Sequence, residues 1–157
     1  MATPCFRLLA PLAAAIFIAP PTWGIEPPAS PATMHADAEL TSVFFLDADR
    51  GWAVGDRGVI WHTADGGRTW KQQQSPTHCR LEAVQFVDGE IGWAVGGSTQ
   101  PYTHQTSGVV LRSRDGGQTW TTVPNLLLPT LRHVKFFDTK NGWAIGDGSA
   151  LYPAGVF

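Results

Sequence analysis

Thr63-Ala64-Asp65-Gly66-Gly67-Arg68-Thr69-Trp70 and Ser113-Arg114-Asp115-Gly116-Gly117-Gln118-Thr119-Trp120 are two copies of one pattern within a chain of 157 residues. Upstream of them, Gly51-Trp52-Ala53-Val54-Gly55 and Gly92-Trp93-Ala94-Val95-Gly96 form a second matching pair, and Gly142-Trp143-Ala144-Ile145-Gly146 opens a third copy. Self-similarity of this kind marks a fold that stacks one supersecondary unit on the next. Trp52 to Trp93 is 41 residues and Trp93 to Trp143 is 50; Leu40, Leu81 and Leu131 keep both offsets. Asp65 and Asp115 are already 50 apart, so the extra residues of copy two lie between Gly96 and Gly108. Copy three carries a shorter insertion at the same place, ending at Ala154-Gly155-Val156. Insertions that recur at one point of a repeat map to loops on one face of the assembly, often the binding face.

Each unit reads as four short strands. In copy one, Ser42–Leu46 is β-branched and aromatic and runs into the turn composition Asp47–Gly51. Trp52–Val54, Val59–Thr63 and Thr69–Gln73 follow, separated by Gly55–Gly58 and by the Asp-Gly-Gly turn, and Pro76 ends the unit. Glycine interrupts every candidate helical window. About 40 residues holding four strands match a propeller blade in length and strand count. The expectation is an all-β partial β-propeller, with blades at 40–80, 81–130 and an incomplete 131–157. Copies one and two each give a four-stranded antiparallel sheet, and copy three gives two strands and the start of another. Phe45, Trp52, Val54, Trp70, Phe86, Trp93, Val95, Trp120, Phe136 and Trp143 are expected to be buried between sheets.

The turn pattern has a structural reading. Asp65 and Asp115 can accept hydrogen bonds from N–H groups of their own turns. Gly67 and Gly117 supply positive φ without steric cost. Thr69 and Thr119 start the next strand, and Trp70 and Trp120 bring a large apolar body with an indole N–H that needs a partner. No catalytic residue, metal site or cofactor is expected from these positions.

Ser/Thr-x-Asp-x-Gly-x-Thr-Trp resembles the Asp-box, or bacterial neuraminidase, repeat at every defined position, twice. With Gly-Trp-Ala-Val-Gly upstream, the unit from about Leu40 to Phe157 is more closely similar to the photosystem II stability/assembly factor family. That resemblance implies a seven-bladed propeller exported across a membrane and acting as a non-enzymatic assembly scaffold. The chain holds two full units and part of a third, which leads to the expectation of a fragment of such a propeller.

Residues 1–24 read as an export signal. Arg7 carries the charge, Leu8–Ala19 is apolar apart from Pro11, and Thr22-Trp23-Gly24 offers small residues for cleavage. The apolar run is too short for a transmembrane span. Residues 25–39, with Pro27, Pro28 and Pro31, read as an extended linker. The predicted location is an exported space: periplasmic, thylakoid-lumen-like or extracellular. Cys5 leaves with the signal, so Cys79 stands alone and forms no internal disulfide. His78-Cys79 has no second pair at zinc-ligand spacing. The formal net charge of −2 argues against a nucleic-acid partner.

The leading functional expectation is a protein-binding scaffold. Its candidate binding loop is the insertion Gly97–Ser107, with Tyr102, His104 and Gln105. The alternative is an Asp-box protein that binds carbohydrate or hydrolyses glycosides in the manner of a sialidase. As the resemblance implies, sialidase chemistry needs an arginine cluster and a tyrosine nucleophile, and the only tyrosines are Tyr102 and Tyr152. The two-carboxylate mechanism needs an acid pair about 5–10 Å apart across a cleft, whereas Asp47, Asp49, Asp56, Asp65, Asp88 and Asp115 fall in turns. Seven tryptophans permit sugar stacking. Core packing explains the recurring tryptophans first; Trp61, whose aligned partner is Leu111, is the ring with the strongest claim to exposure, and packing is the leading reading there too.

Overall fold

The computed structural model describes residues 38–103, 105–124 and 126–157. The expected export signal, and the linker up to residue 37, lie outside the described residues. Each Gly-Trp motif forms the second strand of a sheet. The first sheet contains β1 (Leu40–Phe45), β2 (Gly51–Gly55), β3 (Ile60–Thr63) and β4 (Lys71–Gln73) in that order, all antiparallel. The second repeats it with β5 (Arg80–Phe86), β6 (Gly92–Thr99), β7 (Thr106–Ser113) and β8 (Thr121–Thr122). The third pairs β9 (Leu131–Phe136) with β10 (Gly142–Gly146). Val156 then bridges Ile145, and Ala144 and Phe157 exchange both backbone hydrogen bonds at 3.0 Å, which starts a further strand. The repeat therefore predicts the strand count of every copy. The sole helical element among the described residues is a single 3₁₀ turn, Asp56–Gly58, in the place that copy two fills with its insertion.

The first strands β1, β5 and β9 lie side by side, so the sheets are stacked radially as blades. Each blade meets the next through an aromatic pair. Trp52 of the first sheet stacks on Phe86 of the second with centroids 3.6 Å apart, and Trp93 stacks on Phe136 of the third at 4.4 Å. On its other side Trp52 faces His62, and Trp93 carries the Arg112 guanidinium 4.7 Å from its ring centre. The glycine before each tryptophan leaves space for the phenylalanine that ends the first strand of its own sheet: a Cβ on Gly92 would stand 2.4 Å from the Phe86 ring. Polar links cross the seams too. Thr41 donates its hydroxyl to the Leu81 carbonyl, and Trp120 Nε1 donates to Gln73 Oε1 at 3.0 Å. Gln85 donates to the Phe136 carbonyl at 3.0 Å and accepts from its N–H at 2.8 Å.

Burial corrects two expectations. Trp52, Val54, Phe86, Val95 and Trp120 are buried, and Trp70, Trp93 and Phe136 are half-buried, but Phe45 and Trp143 are exposed. These two sit on the outward faces of the first and third sheets, where no sheet packs among the described residues. Trp61 is buried, in keeping with its packing reading: Ala38, Ala53, Val59 and Trp70 cover it.

Candidate functional site

The two Asp-Gly-Gly turns fold to the same hydrogen-bond pattern. In the first, Asp65 Oδ1 accepts from the Thr63 hydroxyl and the Thr69 N–H, both at 2.8 Å, while Oδ2 accepts from the Thr69 hydroxyl at 2.6 Å. Thr63 Oγ1 in turn accepts from the Gly67 N–H at 2.9 Å. In the second, Asp115 takes the same bonds from Ser113 and Thr119, and Ser113 Oγ accepts from Gly117. Donors from Thr69, led by its hydroxyl, hold Asp65 at a pKa of about 2, and Thr119 lowers that of Asp115 in the same way. Both carboxylates stay ionised and are occupied by their own turns.

Each aspartate accepts a backbone N–H of its own turn, that of Thr69 or Thr119, and the N–H of the turn glycine goes to the hydroxyl of Thr63 or Ser113. These hydroxyl residues are almost fully buried. Their signal was present, because the first position of the pattern is Ser or Thr in both copies, yet only burial reveals that it anchors the turn. A second recurring aspartate was also missed. Asp47, Asp88 and Asp138 each accept two backbone N–H bonds through Oδ1, from residues two and three positions on. Each closes the turn between the first two strands of its blade, and the pKa of each is lowered, at Asp47 and Asp88 first by those backbone bonds and at Asp138 first by the Asn141 side chain. The Gly66 N–H donates to the Asp49 carbonyl, and the Gly116 N–H to that of Glu90, so both kinds of turn gather at one end of the blades. Among the described residues, no group of three His, Cys, Asp or Glu side chains is placed to hold a metal ion.

The opposite end carries the insertion. Instead of a loop it extends the β6–β7 hairpin, with pairing that continues through Gly97–Gly108 and Ser98–Ser107 to Thr99–Thr106. Alternating Ser and Thr favour strand here, and the Gln100 N–H closes the tip on the Gln105 carbonyl at 2.9 Å. Tyr102 and Gln105 project into solvent at that tip, and His104 lies outside the described residues. At its base the Gly108 N–H donates to the Leu128 carbonyl at 2.7 Å, which sets the hairpin against the connection between the second and third sheets. A groove of about 340 Å³ forms between Thr106, Ser107, Leu126–Pro129 and Ser149–Leu151. Leu126, Leu127 and Leu151 are exposed along it. Three exposed leucines beside a projecting hairpin form the kind of apolar patch that marks an interaction site. No helix among the described residues is long and apolar enough to cross a membrane.

A family model described as photosynthesis system II assembly factor YCF48 matches residues 28–125. Among solved structures, one described as YCF48 bound to D1 peptide is 29% identical and superposes with a TM-score of 0.57, over 69% of this chain and 34% of that one. YCF48 from Cyanidioschyzon merolae is 28% identical with a TM-score of 0.52, over 69% of this chain and 31% of that one. The chain thus spans about a third of the length of these relatives. No curated protein matches it.

Proposed function

Because this chain belongs to the family of the photosystem II assembly factor YCF48, we propose that it is an exported, non-enzymatic scaffold that docks a segment of a partner protein during photosystem assembly. The observation that carries this reading is the exposed leucine groove beside the β6–β7 hairpin. A solved relative is described as bound to a D1 peptide, and an extended peptide is the occupant we propose for this groove. Apolar side chains would seat against Leu127 and Leu151, with Tyr102 and Gln105 contributing from the hairpin tip. Export is supported by Arg7 followed by the apolar run Leu8–Ala19. A non-catalytic role is supported by the engagement of Asp65 and Asp115 in their own turns.

Titration of a fluorescent D1 peptide with the full chain, followed by anisotropy, tests the proposal. Saturable binding is expected, weakened at least about tenfold by Leu127→Asp or Leu151→Asp, because a buried apolar contact is worth about 1.5–3 kcal/mol. No binding would remove the partner assignment. Binding indifferent to both substitutions would remove the groove.

A further inference from the structure

The outer edge of β7 is filled by the chain's own backbone up to one point and carries no strand beyond it. Facing residues of an antiparallel pair alternate between those that bond to each other and those whose N–H and C=O turn to the opposite edges. In the β6–β7 hairpin the Gln100 N–H donates to the Gln105 carbonyl. In the next pair, Thr99 and Thr106, the backbone groups of both residues therefore point outward, as do those of Gly97 with Gly108 and Val95 with Val110. Three contacts on the outer edge of β7 agree with that phase. Arg112 pairs with Thr121, the Val110 carbonyl accepts from the Val123 N–H at 2.9 Å, and the Gly108 N–H donates to the Leu128 carbonyl at 2.7 Å. Thr106 is the next residue of the same phase, and among the described residues nothing pairs with its backbone on that side.

The cause lies in the middle of the chain. β8 reaches only Leu111 and Arg112, while the insertion carries β7 on to Thr106. After Leu128 the connection turns across the hairpin instead of following its edge. It passes so close that a Cβ on Gly108 would collide with the Pro129 carbonyl, and one on Gly97 would stand 2.9 Å from Thr130 Oγ1. An unpaired edge of this kind is a template for a further strand. It borders the leucine groove, which Thr106 and Ser107 line together with Leu126–Pro129.

We propose that the peptide taken by the groove binds as an added strand on the outer edge of β7, one of its residues exchanging both backbone hydrogen bonds with Thr106. The inference rests on the peptide reading of the groove and names how the peptide is held. Backbone bonds supply affinity whatever the side chains, and specificity comes from every second side chain, since successive side chains of a strand point to opposite faces. The ligand class is thus an extended segment with apolar residues at alternate positions, which fall toward the exposed Leu126 and Leu127. Proline is excluded at the residue paired with Thr106, because it has no N–H to give.

Titration of the same fluorescent peptide with two proline variants of the full chain tests this. Thr106→Pro removes an N–H that faces outward, leaves the β6–β7 ladder its bonds, and sits on a strand edge, where proline is tolerated. Thr99→Pro makes the same change in the facing residue, on the β6 edge and outside the groove. Thr106→Pro is expected to weaken binding about tenfold, through one lost hydrogen bond and a peptide carbonyl left unpaired; Thr99→Pro is expected to leave binding unchanged. Circular dichroism melts check that both variants fold. A second measurement needs no variant: methylating the peptide's backbone nitrogens one at a time should abolish binding at the residue paired with Thr106 and spare both of its neighbours. Binding that falls with Leu127→Asp yet ignores Thr106→Pro, or falls equally with both prolines, would overturn the added strand and leave the groove standing. A methylation profile without that single-residue contrast would do the same. A peptide that does not bind the chain at all would remove the groove reading, and the added strand with it.

Discussion

Substituting Gly117 and Gly67 by alanine separates the seam from the turn. Both glycines hold positive φ, 83° and 87° respectively. An alanine at either site is thus forced into the left-handed region at a cost of about 1–2 kcal/mol. Their surroundings differ. A Cβ on Gly117 would stand 2.5 Å from Trp52 Nε1 and 3.1 Å from Gln73 Oε1, both on the preceding blade, whereas a Cβ on Gly67 finds nothing nearer than 3.7 Å. Trp52 is held between His62 and Phe86 and cannot retreat without breaking its stack. Overpacking of a filled interior adds about 1–3 kcal/mol. Gly67→Ala should therefore cost about 1–2 kcal/mol and Gly117→Ala about 2–5 kcal/mol. Urea titration followed by tryptophan fluorescence measures the two values, and thermal midpoints should separate by ~4 °C for each kcal/mol between them. Equal losses, within the ~0.5 kcal/mol to which independent effects add, would refute the claim that the second Asp-Gly-Gly turn is pressed into the blade seam.

Three further outcomes follow from the same contacts. Ser113→Ala removes the acceptor for the Gly117 N–H and a donor to Asp115, and should lower unfolding free energy by about 1–3 kcal/mol in urea titration; an unchanged midpoint would remove Ser113 as the anchor of its turn. Gln85→Leu strips the amide that pairs with both backbone groups of Phe136, so hydrogen exchange at the Phe136 amide should accelerate and stability fall by about 1–3 kcal/mol, and unaltered protection would contradict this. Asp65 and Asp115 have folded pKa values below the ordinary carboxylate value, so the stability they contribute is complete above about pH 4. It drains away as pH falls through their folded values, toward about 2 for Asp65. Thr69→Val and Thr119→Val should thus lower stability at neutral pH and converge with the parent near pH 2; parallel curves would show that the threonine hydroxyls do not hold these carboxylates ionised.

The blade order and strand count were legible because they rest on features local to each repeat. Alternation and glycine placement set the strands, and the offsets of Leu40, Leu81 and Leu131 set the register. Burial was legible only where a neighbour exists. Phe45 and Phe86 are the same residue in the same motif, and sequence cannot tell which one a preceding sheet covers. At Trp61 the change to Leu111 in the next copy leaves exposure open in sequence, and the packing reading holds because Trp70 and Ala38 cover the ring. The insertion read as a loop because Gly97, Pro101 and Gly108 punctuate it, yet Ser98, Thr99, Thr106 and Ser107 pair across it. The leucine groove gave no signal at all, since Leu126–Leu128 and Leu151 come from two different connections that meet only in the fold.

The position of the tryptophans shows where this architecture is specified. Trp70 and Trp120 lie edge-on to Phe45 and Phe86 of their own sheets and tie the fourth strand to the first. Trp52 and Trp93 instead reach across to the next sheet, and the indole nitrogens of both are buried without a hydrogen-bond partner among the described residues. Leaving a buried donor unpaired costs about 1–3 kcal/mol, an expense that leucine or phenylalanine at the same place would avoid. The indole nonetheless supplies a broad flat face that His62 or Arg112 covers from one side and the following phenylalanine from the other. Aromatic pairs of this kind add about 0.5–1.5 kcal/mol to the burial of their large area. Their geometry also fixes the orientation of one sheet on the next. Within a blade, backbone hydrogen bonds already set the register; between blades these rings do so together with the Thr41, Gln85 and Trp120 links. The Gly-Trp motif is thus the device that turns a string of separate sheets into a stack with a defined direction, and Trp143 carries that same device on a face open to solvent.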